Sequence, residues 1–101
     1  MSIYTLVNVR DVPMLNTSEI DKVEFINTEV LPADDQRVRQ TNLFKALSLG
    51  NHNGRKSTIV FQATDGIFRV DETVTGYDHE YVSLKGGYRI PVNAIRSVDF
   101  L

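Results

Sequence analysis

Asp65-Gly66-Ile67-Phe68-Arg69-Val70-Asp71-Glu72-Thr73-Val74-Thr75-Gly76, residues 65 to 76, is the stretch that decides how this chain folds. Thr64-Asp65-Gly66 is a tight hairpin signal, because glycine supplies the backbone conformations that a two-residue turn demands. The residues after it alternate with a period of two. Phe68, Val70 and Val74 fall on one face, and Arg69, Asp71, Thr73 and Thr75 on the other. Gly76 stands where such a strand bends or bulges.

Working outward, Ser57 to Ala63 supplies the preceding strand, with Ile59, Val60 and Phe61. Downstream, Glu80 to Lys85 places Val82 and Leu84 on one face, and Gly86-Gly87 turns the chain into Tyr88 to Val92. Pro91 has no N–H to give a ladder, so it belongs at an edge or a strand end. Asn93-Ala94 is a short turn, and Ile95 to Phe100 is the last strand, with Val98 and Phe100 on one face.

Upstream, the period changes to that of a helix. Pro32 precedes Ala33-Asp34-Asp35, and acids in a first turn suit the positive end of the helix dipole. Leu43 and Leu47, with Val38 and Phe44 beside them, form an apolar stripe. Gly50 is expected as the left-handed C-terminal cap, so the helix is predicted over Ala33 to Leu49, with a loop at Asn51-His52-Asn53-Gly54. Ser2 to Val12 alternates weakly and reads as an edge strand or an arm. Asn16-Thr17-Ser18, with Asp21, is a turn or cap signal, and Lys22 to Val30 reads as a strand, with a short helix over Ser18 to Phe25 as the alternative.

The expected class is therefore α+β: one main helix, then five short strands curled into a small β-barrel, with an N-terminal extension that can add a strand. The partition within a single domain of residues 1–101 is extension 1–31, helix 32–50 and barrel 56–101. Ile59, Phe61, Phe68, Val70, Val74, Val82, Leu84, Ile90, Val98 and Phe100, with Leu43 and Leu47, are the predicted core.

The chain has 101 residues, about one domain, and no cysteine, which removes a disulfide framework and thiolate metal sites. Residues 1 to 10 lack the basic and long apolar regions of a secretory signal, and no run approaches the roughly 18 apolar residues of a membrane span. A cytoplasmic protein with no membrane partner is the expectation. The net charge of −2 gives no general pull toward nucleic acid. Acids dominate up to Gln36, where Asp11, Glu19, Asp21, Glu24, Glu29, Asp34 and Asp35 face only Arg10 and Lys22. Two solvated surfaces of different charge account for this better than an acidic segment laid over a basic face.

The run Asp65 to Leu84, with its Asp-Gly turn, long bent strand, Gly76-Tyr77-Asp78 corner and apolar third strand, resembles the first half of the Sm-like motif. Ile90-Pro91-Val92-Asn93-Ala94-Ile95-Arg96-Ser97-Val98 resembles its closing turn and strand. The likeness covers about half the chain and implies an SH3-like or Sm-like barrel. It does not bring RNA binding with it. Where Sm-like proteins carry a base-contacting Asn this chain has Val82, and the nearest residues to their second pocket motif are Tyr88, Arg89 and Asn93. The stretch from Leu49 to Pro91 is also similar to small uncharacterised bacterial proteins of this length, which implies no activity.

No set of residues forms a catalytic pattern. Asp78-His79-Glu80 holds three possible metal ligands, but strand neighbours point to opposite faces, so a surface turn is the better reading. His52 lies in an Asn-rich stretch. Asp34-Asp35 fits helix electrostatics, and Asp71-Glu72 alternates across a strand. Ser57, Ser83 and Ser97 carry no nucleophile motif, and no phosphate-binding loop is present. No catalytic residue, cofactor or metal is expected. The expected role is a non-catalytic interaction or assembly module that self-associates as a homodimer or larger, with a protein partner also possible. The alternative is a barrel binding RNA or single-stranded DNA through Arg69, Tyr77, Lys85, Tyr88 and Arg89, with tyrosines stacking on bases and cations holding phosphates.

Overall fold

The computed structural model describes residues 9–101. Helix α1 (Ala33–Asn53) precedes five strands: β1 (Lys56–Ala63), β2 (Gly66–Tyr77), β3 (Tyr81–Leu84), β4 (Tyr88–Pro91) and β5 (Ile95–Phe100). They form one antiparallel sheet in the order β4-β3-β2-β1-β5. β2 bends at a register shift between Val74 and Gly76, so its first half pairs with β1 and its second with β3. Only the 3-10 turn Val92–Ala94 separates β4 from β5, so the two edges of the sheet meet at that corner and the sheet must curl.

The expected closed barrel is not formed by these ladders: the sheet stays open between β4 and β5. Hydrogen-bonded and non-bonded pairs alternate along an antiparallel ladder. The Leu101 N–H donated to Lys56 O (3.2 Å) therefore sets the β5 phase, and Val98 and Phe100 turn their backbone groups outward. The helix covers that edge. Asn42 Nδ2 donates to Val98 O at 3.4 Å and Arg39 Nη1 to Ile95 O at 2.9 Å. On β4, the Val92 N–H donated to Glu80 O (2.9 Å) leaves Arg89 and Pro91 facing outward. Pro91 has no N–H, which blunts that edge as the sequence suggests.

The core lies between α1 and the curled sheet. Ile59, Phe61, Val70, Val74, Val82, Leu84, Ile90 and Val98 are buried as expected, while Leu47, Phe68 and Phe100 are only partly buried against them. The predicted apolar stripe of α1 holds at Leu43 and in part at Leu47, and is corrected at the other two positions. Val38 and Phe44 are exposed, and the buried face is Arg39, Leu43 and Ala46. The helix also outruns Gly50, absorbing the expected loop through Asn53. Gly54, at φ 62°, is the left-handed cap. Gly50 serves close packing instead: a Cβ there would stand 2.2 Å from Val74 O.

The N-terminal extension wraps the β1–β2 hairpin. Leu15 N–H donates to Arg69 O and Arg69 N–H to Pro13 O, both 2.9 Å, on the outer side of β2. On the outer side of β1, Ile26 N–H donates to Gln62 O and Thr64 N–H to Glu24 O. Lys22 to Val30 is thus not a strand: a 3-10 helix at Thr17–Lys22 leads into a single bridge at Phe25. Glu19, rather than Asp21, completes the cap, its carboxylate accepting the Asn16 N–H at 3.0 Å. Ile20 from this turn is buried in the core. The arm expected over Ser2 to Val12 falls mostly outside the described residues, and its last part, Val9–Asp11, is a 3-10 turn. Among the described residues, no helix is long and apolar enough to cross a membrane.

Candidate functional site: an aromatic-rimmed groove

Several of the five residues expected to form a nucleic-acid surface are engaged within the protein itself. Arg69 is absorbed by the extension: its Nε donates to Val12 O at 2.9 Å and its Nη1 lies 3.7 Å from the Asp71 carboxylate. Lys85 is exposed in the β3–β4 turn, and Tyr88 is partly buried against the core. Arg89 lies over the Tyr81 ring, 4.5 Å from its centroid. Tyr77 packs against Phe44 of α1 and lines the same groove as Tyr81. Val82, at the position matching the Sm-type Asn, is fully buried. Asn93, near the second Sm-like pocket motif, is spent on the protein itself. Its Nδ2 donates to Ile26 O (2.9 Å) and Thr28 O (3.0 Å).

The structure gathers a different set of residues, around an open groove of about 720 Å³. One bank is the first part of α1, with Ala33, Gln36, Arg37 and Gln40. The other is the end of β2 and the β2–β3 turn, with Tyr77, His79, Glu80 and Tyr81. Pro91, Val92 and Asn93 close one side, and Glu29 and Arg39 also line it. The β2–β3 turn is held open by local chemistry. The Asp78 carboxylate accepts the N–H groups of Tyr81 (2.8 Å) and Glu80 (3.1 Å), which holds its pKa below the ordinary value. His79 takes a left-handed φ of 74° in that turn. The turn sets the His79 ring 5.1 Å from Tyr77 and 6.3 Å from Phe44, whose own centroid is 5.1 Å from Tyr77. Rings this close pack on one another and leave no ligand space among the three.

Arg39 and Glu29 form a clamp. Arg39 is 6% exposed and Glu29 32%. The guanidinium grips the carboxylate through two nitrogens, at 2.7 and 2.6 Å. Burial pushes the Glu29 pKa up, but the Arg39 hydrogen bond, the Leu31 N–H and the positive charge outweigh it, so the group sits below its ordinary value. Tyr77 is shifted the other way: burial raises its phenol pKa, against a smaller opposing pull from the Arg39 charge. The clamp ties the acidic extension to α1, and so gives the N-terminal charge excess one structural use. Asp78-His79-Glu80 is the surface turn that its sequence suggests.

Sequence reasoning did not find this groove. Its residues come from four separate segments, and Phe44 reads as core from helical spacing. No family model, curated protein or solved structure matches this chain.

Proposed function

We propose that this protein is a non-catalytic protein-interaction or assembly module of the cytoplasm, built on a small curled sheet of the SH3-like or Sm-like kind. The observation that carries the reading is the aromatic rim of the groove. Tyr81, at 36% exposure, lines the groove with Tyr77 and His79, and Phe44, at 50%, packs beside those two rings. Such half-exposed rings supply large contact area at low entropic cost, and they dominate binding hot spots. Arg39 is committed to Glu29 and Arg37 pairs with Asp34 at the surface, which favours recognition over acid–base chemistry. Nucleic-acid binding through Arg69, Tyr77, Lys85, Tyr88 and Arg89 is the second reading, with Arg69 already bonded to Val12 O and beside Asp71.

The assembly form of the proposal is tested by sedimentation equilibrium up to high micromolar concentration. The expected result is a homodimer or larger species that shifts toward monomer on Phe44→Asp, with circular dichroism checking that the variant stays folded, because Phe44 is exposed yet packs on Tyr77. A monomer at every concentration counts against self-association.

A further inference from the structure

We infer that the groove binds a short extended peptide segment, uncharged and not rich in proline, by reading its backbone as well as its side chains. The inference rests on the interaction-module reading and names the ligand chemistry of the same site. Three observations carry it.

The first is the pattern of fixed amides. Gln36 donates its Nε2 to Leu31 O at 2.9 Å, and Asn93 donates both Nδ2 bonds to the extension. Each side chain lines the groove with its orientation locked by those bonds, and each has an amide oxygen left to accept. The exposed Gln40 adds donors on the same helix face. Rigid acceptors beside donors match a peptide backbone, which offers an N–H and a C=O at each residue. They mismatch a phosphate, which can only accept, and a polyproline segment, which has no N–H.

The second is charge. The Glu29–Arg39 contact at 2.6 Å and the Arg37–Asp34 contact at 2.9 Å pair the groove's charges, and Arg89 lies over a ring. Glu80 at the rim adds an acid. No excess of positive charge is present to draw an acidic ligand.

The third is dimension. From Ala33 to Gln40 the helix bank runs about 10 Å at ~1.5 Å per residue, which matches about three residues of extended chain at ~3.3 Å each. Tyr77 and Tyr81 line the same groove, and the Tyr81 ring is the one open to receive a side chain of the segment.

The test is selection from a phage-displayed library of random heptapeptides on the immobilised full chain, followed by calorimetry with the selected peptides and amide-shift mapping on labelled protein. The expected result is enrichment of uncharged, proline-poor sequences. Their shifts map to α1 and the β2–β3 turn, and their affinity falls about tenfold or more on Tyr81→Ala. Gln40→Ala, at an exposed helix position that leaves the fold intact, weakens binding as well. No enrichment overturns the inference. Enriched peptides that are charged, proline-rich, or indifferent to both substitutions overturn the groove assignment alone and leave the interaction-module reading standing.

Discussion

Gly50→Ala separates a packing role for Gly50 from a capping one. In the middle of an ordinary helix the change stabilises by about 1 kcal/mol, because glycine loses more backbone entropy than alanine on folding. Here the added Cβ would lie 2.2 Å from Val74 O and 3.2 Å from Thr73 Cγ2. Carbon–oxygen contacts ordinarily begin near 3.3 Å, so α1 and β2 must separate by about 1 Å at this point. The closer partner, Val74 O, is backbone, so no flexible side chain can give way at that contact. Overpacking of this kind costs about 1–3 kcal/mol, and a backbone clash belongs at the upper end. Set against the ~1 kcal/mol helix gain, the net expectation is a loss of about 2 kcal/mol. For a chain near 100 residues that lowers Tm by roughly 8–16 °C. Urea denaturation measures it as a lower midpoint at unchanged m. Gly54→Ala is the control: nothing lies within 4 Å of a Cβ there, and only the φ of +62° resists the change, costing about 1 kcal/mol. A Gly50→Ala protein as stable as wild type, or more so, refutes the close approach of α1 to β2.

Glu29→Gln should destabilise by about 1–3 kcal/mol at neutral pH, less than for a fully buried pair because Glu29 is partly exposed. Since the folded pKa of Glu29 lies below its ordinary value, the ion-pair contribution is complete above that value and is lost as pH falls through the lowered one. Urea midpoints of wild type and variant should therefore converge in acid, and a gap that stays constant with pH would show that ionised Glu29 is not the stabilising form. Ser57 Oγ is buried without a hydrogen-bond partner, so Ser57→Ala should be neutral or stabilising by up to ~1 kcal/mol. A loss above ~1 kcal/mol in the same assay would mean that the hydroxyl is satisfied. Titration with a short single-stranded RNA at physiological salt should show no submicromolar complex; tight binding that weakens steeply with salt and is lost on Arg89→Ala would place nucleic acid first.

How much was legible varies with the range of the interaction. The β1–β2 hairpin could be read from Asp65-Gly66 and the alternation after it, because turn chemistry and a period of two act between neighbours in sequence. Gly76 and Pro91 marked the bend and the edge because each removes a local option, a side chain in one case and an N–H in the other. The helix start was legible from Pro32 and the acids behind it, but not its end. Gly50 and Gly54 both satisfy the capping pattern, and only the approach of Val74 O assigns the first to packing.

The sequence by itself determined the class: one helix, then five short antiparallel strands, with most of the apolar core in correct phase. Tertiary structure decided three further features. Arg39 is buried because Glu29 arrives from the extension to pair with it, and a charge at a core position cannot be expected before its partner is placed. Phe44 is exposed because the sheet meets α1 along Arg39, Leu43 and Ala46, a face that keeps Leu43 of the expected stripe but turns Val38 and Phe44 outward. The groove lies between α1, docked on the edge of β5, and the β2–β3 turn, with the Val92–Ala94 turn at its side. Each depends on groups far apart in the chain, whose meeting is set by the packing of the whole and by no local pattern.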